Sequence, residues 1–295
     1  MALAAVWLGA LPLSAFAVDA RKPKGNAADS WAVGFQPVAL VNGSPVVFHV
    51  TSPQPLKSLS GKWLEHSVFF ASGGDAENWY GIAGASLETP RGDYSLSLKG
   101  VTATGRELGF EKKIKVGKGK YHTIAASVPK QYTEPSAEQL QKINQDKTRK
   151  EDAFKGVRPE REWTGRFHPP VKAQVSDVFG TARTFNGRVR SVHQGIDYAV
   201  PEGTPVAALN SGTVRLAQPL FFEGNCVVLD HGQGLLTLYM HLSKIEVKEA
   251  EHVTGGQKIG LSGGTGRATG PHLHVAVRWQ GVYLNPATLL SLRLP

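Results

Sequence analysis

The chain has 295 residues, long enough for two domains that each bury a core of their own. Lysine and arginine outnumber aspartate and glutamate by 33 to 24, a formal charge of +9 that suits a polyanionic partner. However, no arginine-rich block with interleaved aromatics points to nucleic acid. The single cysteine, Cys226, excludes an intramolecular disulfide and a thiolate-built metal site.

Residues Met1 to Ala17 read as a secretory signal, an apolar run through Val6, Trp7, Leu8 and Leu11 that ends in the small-x-small pattern Ala15-Phe16-Ala17. The first basic residue is Arg21, so the usual basic start is missing. The run is short for a bilayer and Pro12 interrupts it, so no stable membrane span is expected after its removal. An exported protein of the periplasm or cell envelope is expected.

Residues 31–129 predict a β-sandwich of immunoglobulin-like type. Short alternating segments such as Pro45-Val-Val-Phe-His-Val, Ser67-Val-Phe-Phe, Tyr94-Ser-Leu-Ser-Leu and Lys113-Ile-Lys-Val are separated by Gly- and Pro-containing turns. Its histidines, His49, His66 and His122, have no partner at ligand spacing and read as structural. Arg91-Gly-Asp93 reads as turn chemistry.

Residues 130–170 predict a helical linker. The stretch from Ser136 to Phe154 is polar and free of Gly and Pro, with Ser136 and Gln139 placed for a capping box. Pro159 and Pro169-Pro170 lead out of it. His168 is solitary, near enough to the following domain to lie over a cleft.

From 171 to 295 short strands and glycine turns predict an antiparallel all-β domain. Gly263-Gly264-Thr265-Gly266 lacks the Lys-Ser/Thr and helix of a phosphate loop and reads as a flexible groove wall. His231 reads as a structural turn residue and His252 as solvent-exposed. Cys226, in Gly224-Asn-Cys-Val-Val-Leu, reads as a small buried strand residue.

Chemistry concentrates in three places. After Gly270-Pro271 a strand-like alternation sets His272, His274, Ala276 and Arg278 on one face and Leu273, Val275, Val277 and Trp279 on the other. Upstream, His193 and Asp197 stand four apart, an even spacing that returns both side chains to one side of an extended segment. His241 lies between the two clusters. One imidazole and one carboxylate from the first segment with one imidazole from the second make a three-ligand site with an open position. Zinc in that state is catalytic, because its bound water titrates near about pH 7.

These motifs resemble the lysostaphin/LytM-type zinc metallopeptidases, which cut peptide cross-links of bacterial cell walls. The likeness runs from about Gln174 to Pro286 through Phe179-Gly180, His193-Gln-Gly-Ile-Asp197, Gly203-Thr-Pro-Val206, Gly212-Thr-Val214, Tyr239-Met-His241-Leu-Ser243 and Gly270-Pro-His-Leu-His274. The resemblance implies that His193, Asp197 and His274 hold Zn2+. It also implies that His272 and His241 stand beside the metal-bound water and the substrate carbonyl as acid/base and oxyanion-stabilising groups. Val275 and Ala276 replace the aromatic and glutamate found in many members, which bears on substrate preference. The implied substrate is the peptide stem of peptidoglycan, with the D-alanyl-diaminopimelate bond preferred. The competing reading is a silent or autoinhibited binding module that regulates other wall hydrolases through a protein partner. The presence of all five key positions weighs against degeneracy.

Overall fold

In the sandwich, alternation turns Leu96, Leu98, Gly100 and Thr102 inward, whereas Pro45 to Phe48 are buried consecutively. A computed structural model describes residues 30–126, 128–185 and 189–294; the signal sequence expected at Met1 to Ala17 lies outside them. The first seven strands are β1 (Ala32–Gln36), β2 (Pro45–Thr51), β3 (Leu56–Trp63), β4 (His66–Ser72), β5 (Asn78–Gly84), β6 (Gly92–Thr102) and β7 (Glu107–Val116). They pair in the order β1-β2-β5-β4-β3-β6-β7, the immunoglobulin-type order read around two sheets. β4 passes between the sheets: His66 to Phe69 pair with β3, and Phe70 to Ser72 with β5. Phe48, Trp63, Ile82, Leu96 and Ile114 fill the interior, and the Trp63 indole N–H donates to the Gly84 carbonyl at 3.0 Å. The indole thereby buries its large ring without an orphaned donor.

Beyond the sandwich come β8 (Thr123–Ala126) and helix α1 (Ala137–Ala153). The capping box forms as its residues predict. The Gln139 N–H donates to Ser136 Oγ at 3.3 Å, and Gln139 Oε1 accepts from the Ser136 N–H at 2.8 Å. The helix ends at Ala153, short of Pro159, and does not run free. Ala153 packs with Leu216, Cys226, Val228, Leu238 and Ala276 in a small apolar cluster.

The remaining strands are β9 (Val175–Asp177), β10 (Ala182–Phe185), β11 (Val189–Val192), β12 (Gly195–Tyr198), β13 (Pro205–Ala207), β14 (Gly212–Leu220), β15 (Gly224–Asp230), β16 (Leu235–Leu242), β17 (Lys244–Ile245), β18 (His252–Val253), β19 (Lys258–Leu261), β20 (Leu273–Trp279) and β21 (Val282–Leu284), followed by the short helix α2 (Pro286–Ser291). The main sheet runs β18-β14-β15-β16-β20-β12-β9, with β21 beside the second half of β20. Leu273, Val275, Val277 and Trp279 of β20 are buried in the large core, as their alternation predicts.

Several contacts tie the two β regions together. β8 pairs in parallel with β10, and the Asn285 N–H donates to the Gly43 carbonyl at 2.7 Å. The Trp279 ring lies 5.2 Å from that of His66. Trp163 and Phe167, between α1 and β9, are buried in the same continuous apolar core as Phe48 and Leu273. Among the described residues no helix is long and apolar enough to cross a membrane.

Candidate metal centre

β12 and β20 are neighbours, and their register sets Asp197 opposite His274 and Gly195 opposite Ala276. His193 lies just before β12. Its Nε2 stands 3.1 Å from Asp197 Oδ1 and 3.0 Å from His274 Nδ1, and the last two atoms are 2.7 Å apart. Two imidazole nitrogens and a carboxylate oxygen thus form a triangle with edges near 3 Å. All three residues are buried, between 3 and 8% exposed. For bonds of about 2.0 to 2.2 Å, tetrahedral zinc needs donors at nearly this spacing, so the set fits the ion on geometry and on chemistry.

The neighbours of the triangle orient it. The His193 Nδ1–H donates to the Val178 carbonyl at 2.9 Å, which leaves Nε2 with the lone pair a metal requires. Arg183 donates through Nη2 to Asp197 Oδ2 at 2.6 Å and through Nε to Asp177 Oδ2 at 2.9 Å. Asp177 also accepts from Thr181 Oγ1 at 2.8 Å. Burial acts to raise the Asp197 carboxyl, but its close contacts with the His193 and His274 rings outweigh it and hold the group well below the ordinary carboxylate range. Burial pushes the His274 imidazole down. Gly195 is required for space, because a Cβ there would collide with His274 Nε2 and the Val275 carbonyl.

His241 and His272 complete the cluster. Their rings lie 4.8 Å apart, and His241 is 6.0 Å from His274. Each is held by a backbone carbonyl on Nδ1, Thr265 at 2.8 Å for His241 and Gly270 at 2.8 Å for His272. In the neutral ring this leaves the lone pair on Nε2. Burial, reinforced by the His274 and His272 rings, pushes His241 down to about 3. His241 has φ 61, a left-handed conformation costly for a histidine. It sits in a bulge where Met240 and His241 together oppose Cys226, and its N–H donates to the Glu223 carbonyl at 2.8 Å. All five residues singled out from the sequence are therefore in one place. They border a groove of about 500 Å³ that Ile124, Lys150, Phe222, Met240 and Tyr283 also line.

The other histidines lie elsewhere. His231 is fully buried between the Ser211 carbonyl and Thr237 Oγ1, while His252 and His168 are exposed. Cys226 is buried and its thiol is pushed up by burial, consistent with a packing residue. The glycine stretch at 263–266 corrects one expectation. A Cβ at Gly263 would strike the Ser243 backbone and one at Gly266 would strike Gly224, so these glycines permit close backbone packing. The groove wall is formed instead from Arg267 to His272. Three contributors were missed in the sequence: Arg183, Asp177 and the linker residue Lys150. Only Arg183 and Asp177, flanking Phe179-Gly180, carried even a positional hint.

An all-β fold that sets a three-donor, zinc-compatible cluster beside two further imidazoles in an open groove is suited to metal-assisted hydrolysis. Residues 191–286 match peptidase family M23. The matched segment takes in His193, Asp197 and His274, the group placed to hold a metal ion, together with His241 and His272. It is 45% identical over 131 residues to the peptidoglycan DD-endopeptidase ShyA of Vibrio cholerae, covering 44% of this chain and 30% of that one. It is 40% identical over 121 residues to the DD-carboxypeptidase/endopeptidase Mpg of Neisseria meningitidis, covering 41% and 28%. The chain thus spans less than a third of the length of these relatives. A crystal structure from Pseudomonas aeruginosa assigned to peptidase M23 superposes with a TM-score of 0.64 at 28% identity, over 85% of this chain and 94% of that one.

Proposed function

We propose that this chain is a zinc-dependent endopeptidase that hydrolyses peptide cross-links of peptidoglycan, with the D-alanyl-diaminopimelate bond as its target. The observation that carries the reading is the buried triangle of His193, Asp197 and His274 with the Nε2 atoms of two more histidines free to serve a groove. The names of ShyA and Mpg support the choice of substrate. Such a substrate calls for an exported protein, acting in the periplasm or outside the cell.

In this reading His193 Nε2, Asp197 Oδ1 and His274 Nδ1 hold the ion. Zinc in such a site supplies Lewis acidity, polarising a carbonyl and acidifying water. Nε2 of His241, an acceptor in the neutral ring, takes the proton of the attacking water, and His272, when protonated on Nε2 as well as Nδ1, donates a hydrogen bond to the oxyanion that develops on the scissile carbonyl. The low basicity of His241 keeps its ring neutral at physiological pH, with an acceptor nitrogen. Residues 171–295 form the peptidase domain, joined through the linker 130–170 to the sandwich at 31–129.

Elemental analysis combined with muropeptide release from purified peptidoglycan tests the proposal. One zinc per chain and chelator-sensitive release of new amino termini are expected. Zinc-loaded protein that releases nothing from direct or glycine-bridged walls would sink it.

A further inference from the structure

Helix α1 lies outside the segment matched to the peptidase family, yet it reaches the groove. Asp146, only 4% exposed, accepts the backbone N–H of Phe221 at 2.7 Å and also pairs with Lys142. One turn further on, Lys150 pairs with Glu223, the two side chains being 25% and 13% exposed. Both contacts fall on the turn at 221–223 that joins β14 to β15. Charges this deeply placed are costly unless paired, so the two contacts fix helix and turn together. Ala153, at the helix end, is locked into the apolar cluster over the sheet.

The same turn grips the site from its other side. The Glu223 carbonyl accepts the His241 N–H at 2.8 Å, and the Phe222 carbonyl accepts the Arg267 N–H at 2.8 Å. The Asn225 N–H donates to Thr265 Oγ1 at 2.9 Å, and the Thr265 carbonyl holds the His241 ring. The left-handed backbone of His241 persists only where its surroundings over-determine it. Glu223 provides that constraint, with its side chain fixed by α1 and its carbonyl fixed on His241.

We propose that α1 is a working part of the catalytic unit. Asp146 and Lys150 are positioning residues that clamp the 221–223 turn and so hold His241 at the angle from which its ring serves the reaction. The helix is then more than a spacer between domains. This inference rests on the reading of His241 as a reacting group. A shift of about 1 Å in such a group costs up to about 100-fold in rate, whereas metal retention depends on His193, Asp197 and His274.

The test uses the full chain with Lys150→Met, Lys150→Arg and Asp146→Ala. For each, kcat and KM are measured on a soluble cross-linked muropeptide dimer, together with zinc content and hydrogen exchange at the His241 amide. Lys150→Met and Asp146→Ala should lower kcat by about tenfold or more. Zinc content should stay near wild type in both, KM should stay near wild type in Asp146→Ala, whose side chain does not line the groove, His241 should lose amide protection, and Lys150→Arg should regain most of the rate. Wild-type kcat and protection in Lys150→Met, or failure of Lys150→Arg to recover the loss, would overturn the clamp while leaving the peptidase reading intact. A zinc-loaded wild type without chelator-sensitive turnover would overturn both.

Discussion

Arg183 Nη2 donates to Oδ2 of Asp197 at 2.6 Å, so only Oδ1 of that carboxylate is left facing His193 and His274. The guanidinium fixes which oxygen can meet a metal, and Asp177 fixes the guanidinium in turn. Partners of this kind usually tune metal affinity by about 10- to 100-fold. Arg183→Met should therefore bind zinc more weakly by that factor while remaining folded. Competition against a fluorescent zinc chelator measures it, and an unchanged dissociation constant would remove Arg183 from the site.

His193→Ala and His241→Ala should separate metal binding from turnover. The first removes a corner of the donor triangle and should lose both zinc and activity. The second leaves the triangle whole and should keep zinc while turnover falls by about 10²- to 10⁴-fold, the range of a lost acid/base group. Zinc content and rate measured on the same preparations decide this, and metal loss from His241→Ala would transfer that residue to the donor set.

Gly195→Ala should disable the centre without touching a donor atom. Its new methyl group would occupy the space of His274 Nε2 and the Val275 carbonyl, forcing the ring away from Asp197. Greatly reduced zinc retention is expected with the overall β content preserved by circular dichroism. Wild-type zinc content would show that the strand can yield.

Acid stability should carry the mark of His231. Burial pushes this ring down to about 4 from 6.5, so below 6.5 the unfolded chain takes up a proton that the folded chain refuses. Stability is therefore undiminished above pH 6.5 and falls as the pH drops toward 4. The loss reaches about 3 kcal/mol for this one group, because each tenfold change in proton affinity corresponds to about 1.4 kcal/mol. Chemical denaturation between these pH values should show a shallower slope in His231→Gln than in wild type. Parallel slopes would mean that His231 is not the group responsible.

Much of this architecture is written in local pattern. The alternation after Gly270-Pro271 sets His272 and His274 on the side opposite Leu273 and Val275, because a strand has a period of two and one face must be buried. The spacing of His193 and Asp197 works in the same way, and the capping box of α1 needs only residues three apart. What the sequence hides is long-range. Arg183 reaches Asp197 through the placing of β10, which no periodicity encodes. The left-handed backbone of His241 depends on Glu223, at the far end of the β15-β16 hairpin. The glycines at 263–266 read as a flexible stretch because the backbones that crowd them, at Ser243 and Gly224, lie elsewhere in the chain. The polarity of α1 suggests solvent on all sides, whereas its Asp146 and Lys150 answer to a turn far along the chain.

The parallel pairing of β8 with β10 bears on how the catalytic part can be handled in isolation. A fragment starting at Val171 would strip β10 of β8 on one edge, keeping β11 on the other, and leave open backbone donors and acceptors, a template for self-association. It would also lack Trp163 and Phe167, leaving voids where two aromatic rings now lie. Loss of activity in such a fragment would reflect aggregation and a hollowed interior. A fair comparison with the whole chain has to begin upstream of β8.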